Sequence, residues 1–498
     1  MTRVLANQTK GAKGQGMRFL IRPVRAGVVA NYTGKLMVVL SVALALPAVV
    51  ALLTAEWTML AAHLLAAGIV AGVGRLLSLA TTESALRFTE ALVVAGLIYV
   101  VTALMVAPTM WIAGLPWLDA VFEAMSSCTT TGLSMVSDVS VMPRTFLFSR
   151  ALLQYYGGLG FVILTLAVLL PQGSAASRLL STQLEKTDVV PSAVNAARRL
   201  SRLYLSLMLA TVALLLMTGM GGFDAICHGL TTVSTGGFST YNSSLASFWA
   251  PTLIALIPFM VLGALPLAVL ARLRKQGFGS LLRDTQAPML LGLIVIWIAA
   301  LQVLFVTTDV AAGRGLGDAV FLGVSVGTGT GLTTLHPADL SPLAKLVMLA
   351  PMNIGGCMGS TAGAIKIYRF IVLLSLLRIT IYRTALGSRI VKPFLVGGRQ
   401  LTRDEVETVA AFGIGYLVLL GLTAACFVAA GYDMLDSLFE CSSALGASGF
   451  SVGLVSASLP AWLKLVLVFN MWVGRVELIP AALLLYPPIW ISRRRSSR

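Results

Sequence analysis

Histidine is almost missing from this chain, and cysteine is rare. Three His stand at 63, 228 and 336, and five Cys at 128, 227, 357, 426 and 441, with no CxxC pair among them. Those spacings support neither a metal site nor a disulfide framework, so the cysteines read as reduced and structural. Charge is just as scarce, at 11% of residues, which sets aside an ordinary soluble domain. No GxxxxGK[ST] loop occurs, so the glycine-rich stretches are not phosphate cradles. The apolar segments offer no paired carboxylates, no Ser/His/Asp set and no His cluster, so catalysis has no candidate residues. Residues 1–35 carry seven basic side chains and no acidic one. The apolar run that follows from Leu36 is too long for a signal peptide.

What fills the chain instead is apolar. Hydrophobic residues make up 57%, mean hydropathy is +0.89, and long runs nearly free of charge recur. The fold class is an all-α polytopic membrane protein. A net charge of +16 could suggest nucleic acid, but its distribution gives a simpler account. Thirty of the 36 Lys and Arg fall in 1–35, 75–87, 178–202, 272–283, 366–403 and 493–498. By the positive-inside rule these segments, with both termini, are cytoplasmic. The partner they imply is membrane lipid and not nucleic acid.

Within the apolar background four stretches repeat. They begin at Asp119 (DAVFEAMSSCTTTGLS), Asp224 (DAICHGLTTVSTGGFS), Asp318 (DAVFLGVSVGTGTGLT) and Asp436 (DSLFECSSALGASGFS). Each carries Gly thirteen residues after the Asp, then Leu or Phe, then Ser or Thr, and they align without gaps. An internal repeat of this kind decides the architecture. Asp suits a helix N-cap, about two apolar turns follow, and the Thr/Ser/Gly end cannot continue a good helix. Four such half-helices, their carbonyl ends converging on Gly-rich loops, would make a ring of backbone oxygens, as in a cation filter. Ion coordination is placed at Thr130, Thr131 and Gly132; Thr235, Gly236 and Gly237; Gly329, Thr330 and Gly331; and Ala447, Ser448 and Gly449. A single Thr/Ser/Gly turn ordinarily just joins helices, but four in one register favour the filter. Glu123, Asp138 and Asp339 would add negative charge near the outer mouth.

The segments follow from the repeat. Residues 1–35 form a cytoplasmic tail and 36–80 an extra N-terminal helix pair. Four tandem helix–pore-loop–helix repeats surround a central pore over 81–180, 181–275, 276–395 and 396–498, the last with a basic C-terminal tail. Ten spans and four half-helices result. In unit three the second helix is interrupted by Gly355, Gly356, Gly359 and Gly363, a run with poor helix propensity. It reads as an irregular segment below the filter that gates the path, with small-residue helix packing as the competing account. In unit four, Arg475 and Glu477 lie inside an apolar span and need partners. Arg475 facing the unit-three loop carbonyls, or Glu477 itself, would suit a cytoplasmic-side gate, and a structural Arg–Glu pair is the competing account.

These motifs resemble the TrkH/KtrB/HKT superfamily of potassium transporters, and most closely its bacterial TrkH branch. The resemblance rests on the four filter stretches, STGGFST at 234–240, GGLGFVIL at 157–164, GGCMGSTAGAIK at 355–366 and GRVE at 474–477, and it covers residues 36–487. It implies K+ as the transported ion, with no organic cofactor. It also implies a homodimer in the bacterial inner membrane, one pore per subunit, and a cytosolic RCK-type nucleotide-binding partner like TrkA. Glycine at all four filter positions sides with potassium. Met358 and Ala364 depart from the usual small polar residue and Gly, and LGASGFS leans towards KtrB. Gated K+ permeation is the function so implied; a proton- or sodium-coupled K+ symporter is the alternative, with Glu477 its one candidate carboxylate.

Overall fold

The computed structural model describes residues 23–79, 84, 86–169, 193–307, 315–386 and 394–490. Most of the expected N-terminal tail and the basic C-terminal tail lie outside these residues.

Helices account for nearly all regular structure. An N-terminal pair comprises α1 (Ala26–Ala45), which continues past a turn into α2 (Pro47–Leu53), and α3 (Trp57–Leu79). In lipid no hydrophobic force drives helices together, so close backbone approach must supply the contact. Gly34 and Gly74 provide it, since a Cβ on Gly34 would lie 2.6 Å from the Gly74 carbonyl oxygen. The turn after α2 also serves unit one. Glu56 accepts from the backbone N–H of Arg144 and Thr145 at 2.9 and 3.1 Å, satisfying donors that a helix start leaves open.

Unit one is α4 (Phe88–Ile112), pore helix α5 (Trp117–Cys128) and α6 (Arg144–Leu169). Unit two is α7 (Ala193–Met217), pore helix α8 (Gly222–Val233) and α9 (Ala250–Ala264), which bends into α10 (Leu267–Gln276) and a short α11 (Gly279–Leu282). Unit three is α12 (Ala287–Thr307), pore helix α13 (Leu316–Thr328), α14 (Pro342–Ile354) and α15 (Ile367–Leu386). A two-residue hairpin follows, β1 (Leu395–Val396) and β2 (Arg399–Gln400). Gly397 and Gly398 both take positive φ at its turn, as a two-residue hairpin turn requires. Unit four is α16 (Arg403–Ala429), pore helix α17 (Met434–Gly446), α18 (Ala461–Val476) and α19 (Leu478–Leu485).

Among the described residues, eight of the ten expected spans are long and apolar enough to cross a membrane, six as single helices and two as bent pairs. The other two correspond to α6 and to the interrupted α14–α15. Two of these spans, the second helices of units two and four, are not straight but sharply bent. Between α9 and α10 the chain turns by 113° because Pro266 has no N–H and pushes Leu265 into extended backbone, ψ 153°. Between α18 and α19 it turns by 116° at Glu477, whose φ of +74° and ψ of +156° lie in territory glycine favours.

The buried apolar clusters show how the units are arranged. One joins the N-terminal pair to units one and four, through Met59, Phe122, Phe427 and Leu463. A second joins units one, two and three through Tyr155, Leu256 and Phe321, and a third joins three and four through Leu322, Met348 and Phe439. The units therefore close into a circle, four against one.

Candidate ion-conduction site

The repeated Asp is the third residue of its pore helix in every unit, not the cap that was expected. The caps are Pro116, Gly221, Gly315 and Asp433. At the third position Asp still complements the positive helix end, and its carboxylate is free to bind elsewhere. Asp119 is paired with Lys464 of α18, and Asp436 with Lys345 of α14 at 2.9 Å. Asp224 instead accepts from Thr240 and Tyr241, and Asp318 from Thr334. Each Lys is the fourth residue of its helix and reaches the pore helix of the following unit.

All four pore helices stop in one way. The N–H groups of Thr130, Thr235, Gly329 and Ala447 bond three residues back, and those of Thr131, Gly236, Thr330 and Ser448 five back at 2.8–3.0 Å. That is the Schellman closure, which needs left-handed backbone at its first position. Glycine supplies it once; Thr130, Thr235 and Ala447 adopt it at φ +57°, +51° and +51° despite their side chains. The filter glycines follow, Gly132, Gly237, Gly331 and Gly449, at φ +90°, +79°, +83° and +78°.

These glycines interlock. A Cβ on Gly132 would overlap the Gly236 carbonyl oxygen, and one on Gly237 the oxygen of Thr330. One on Gly331 would overlap the Ser448 oxygen, and one on Gly449 the Thr131 oxygen. The order runs from unit one to two, three, four and back to one. Four equivalent carbonyls thus form a closed ring, reached by the negative ends of four helices. Both the positive φ and the missing side chain make glycine obligatory here. Outside the ring lies a cavity of about 450 Å³ lined by all four glycines.

Behind the ring, one pore-helix position ties down the loop leaving it. Glu123 accepts from Ser134 Oγ and Met135 N–H, and Glu440 from Ser451 Oγ and Val452 N–H. His228 Nε2 meets Ser239 Oγ at 3.0 Å. Leu322 occupies the position in unit three, where Ser244 accepts from Thr333 N–H instead. Glu123 therefore does not lend charge to the mouth: it is fully buried and pairs with Arg150 at 2.6 Å. Asp339 is exposed and lines the cavity. Asp138 links units one and two by accepting from Asn242 at 2.7 Å. That bond and those from Ser140 hold its carboxyl below the ordinary carboxylate range.

The interrupted segment of unit three packs against the ends of pore helices two and four. Gly355 and Gly359 have φ +71° and +83°. A Cβ on Gly363 would sit 2.6 Å from the Gly446 oxygen, and one on Gly356 2.7 Å from Ala362 Cβ. The bend at Pro266 frees the carbonyls of Gly263 and Ala264, which accept from Thr361 and Cys357 N–H. Thr361 Oγ1 also lies 3.2 Å from Thr235 Oγ1. Arg475, 1% exposed, donates to Thr361 O, Thr130 Oγ1, Gly157 O and Gly158 O. Glu477 is not its partner; that carboxylate meets Arg369 at 2.5 Å and Lys366 at 4.0 Å.

One further series escaped the sequence reading. Counted from the start of the second helix, the fourteenth position is glycine in every unit: Gly157, Gly263 and Gly474 within their helices, and Gly355 as the cap that ends α14. In units one, two and four it lets that helix touch a last-turn carbonyl of the pore helix, at Cys128, Val233 and Leu445. Its spacing from the filter glycine varies between units, so an ungapped comparison misses it.

A circle of membrane-length helices around one carbonyl ring, fed by four half-helices, defines an ion-transport protein built on re-entrant loops. A family model described as "Cation transport protein", TrkH, matches residues 76–488, and the chain belongs to the TrkH family. Membership makes it a transporter rather than an enzyme. The chain is 29% identical over 415 residues to an uncharacterized cation transporter of Methanocaldococcus jannaschii, spanning 82% of this chain and 85% of that one. It is 27% identical over 481 residues to the Trk system potassium uptake protein TrkH of Halomonas elongata, spanning 93% and 99%. The fold matches the crystal structure of the potassium transporter TrkH from Vibrio parahaemolyticus with TM-score 0.85 and 24% identity, over 94% of this chain and all of that one.

Proposed function

We propose that the chain is a channel-like K+ uptake subunit; two of its relatives are named Trk system potassium uptake proteins. The carrying observation is the circular packing of the four filter glycines on neighbouring carbonyls. K+ entering from the outer cavity loses water to the oxygens of the loops at Thr130–Gly132, Thr235–Gly237, Gly329–Gly331 and Ala447–Gly449. The segment bearing Gly355, Gly356, Gly359 and Gly363, held by Arg475, closes the path from below. Release of that segment is the task of a cytosolic nucleotide-binding partner, and the working unit is a homodimer in the inner membrane with both termini cytoplasmic. Coupled symport is the weaker reading, because Glu477 is occupied by Arg369 and Lys366.

Rubidium uptake into liposomes holding only this chain tests the filter. Wild type takes up Rb+ in competition with K+ and resists Na+. Gly132→Ser, which forces a Cβ onto the Gly236 oxygen, loses that preference. Equal selectivity in both proteins would remove the ring from the ion path.

A further inference from the structure

The eleventh residue of the second helix is methionine in units two, three and four, at Met260, Met352 and Met471, but glutamine in unit one. All four are buried. The residue before the filter glycine shows the complementary pattern: Thr131, Thr330 and Ser448 carry hydroxyls, and Gly236 carries nothing. Those hydroxyls turn back towards their own pore helices, to Thr129 at the cap of the first and to Thr328 and Ser443 within the third and fourth. In loop two the vacant space is taken by Gln154, whose carboxamide a Cβ on Gly236 would overlap. Gln154 Nε2 donates to Gly236 O at 2.6 Å, and its Oε1 accepts from Phe238 N–H at 3.3 Å. The two bonds straddle the filter glycine Gly237. The oxygen they fix is the one against which Gly132 packs.

We propose that Gln154 is a positioning residue for ion discrimination, setting the place and field strength of the loop-two carbonyl. This rests on the ring being the ion filter. Selectivity depends on the number, field and stiffness of the carbonyl dipoles around the ion. A carbonyl that already accepts a short amide N–H is pinned, and it shares its lone pairs with a donor. Methionine has no donor for the Gly236 carbonyl and only a weak sulfur acceptor for Phe238 N–H, so Gln154→Met loosens the loop-two backbone on both sides of Gly237.

Rubidium uptake with competing Na+, in liposomes containing the full chain, decides the matter. Gln154→Met lowers Rb+ over Na+ discrimination about fivefold, the factor one net hydrogen bond supplies, while uptake in Rb+ alone persists. Gly236→Ser, which expels the carboxamide, lowers Rb+ over Na+ discrimination likewise. The double variant Q154M/G236S, which reproduces the methionine–hydroxyl pairing of the other units, recovers discrimination. If Gln154→Met does not fold, Gly236→Ser and the double variant carry the test. Wild-type discrimination in the single variants, or a double variant no better than either, overturns the role of Gln154. Gly132→Ser in the same assay separates the two claims. Its failure to alter selectivity sinks the filter itself, whereas a loss there with none in Gln154→Met sinks only this inference.

Discussion

The position that closes each pore helix holds Thr130, Thr235, Gly329 and Ala447, all with positive φ. For an L-residue that conformation costs about 1–2 kcal/mol over glycine. Thr130 and Thr235 are bound into the site, since Thr130 accepts from Arg475 and Thr235 meets Thr361. Ala447 has no polar side-chain atom to lose. Ala447→Gly should therefore raise thermal stability in detergent by about 1 kcal/mol, and Gly329→Ala should lower it by a similar amount. Shifts of the same sign in the two variants would show that backbone strain is not what distinguishes them.

At the scale of elements, the second helices brace the pore helices of the next unit. Lys464–Asp119 is nearly sealed from solvent, with side chains 7% and 3% exposed, whereas Lys345–Asp436 stands at 12% and 28%. Removing one partner of a buried pair strands the other's charge. Lys464→Met should cost about 3–5 kcal/mol and Lys345→Met at most about 1 kcal/mol, read from melting of the two purified variants. Equal losses would count against burial as the deciding factor. This bracing was not legible in the sequence. Asp119 and Lys464 were each visible, but 345 residues separate them, and no periodicity links such positions. The four half-helices were legible because Asp, Gly and the hydroxyl after it recur at fixed offsets within one short element. The bends at Pro266 and Glu477 were hidden because apolarity continues across both. Gln154 was hidden because its meaning lies in a contrast with three methionines whose spacing from the filters varies.

For the whole molecule, the underside of the ring is held at one point by groups from three units. Arg475 of unit four gathers Thr361 of the unit-three segment, Gly157 and Gly158 of α6, and Thr130 at the end of pore helix one. Its planar fork serves several acceptors at once, which no shorter or uncharged side chain can do. Arg475→Ala should raise basal rubidium flux in the absence of any partner. Unchanged or reduced flux in folded protein would sink its part in the gate.

The circle of glycines also fixes an order of manufacture. Gly449 rests on Thr131, and Lys464 on Asp119, so the first loop waits for the last quarter of the polypeptide before either contact can form. Units one to three by themselves hold Asp119 without the lysine that meets it in the complete fold. Closure therefore depends on the fourth unit, without which Gly331 and Thr131 lack the neighbours that complete the ring.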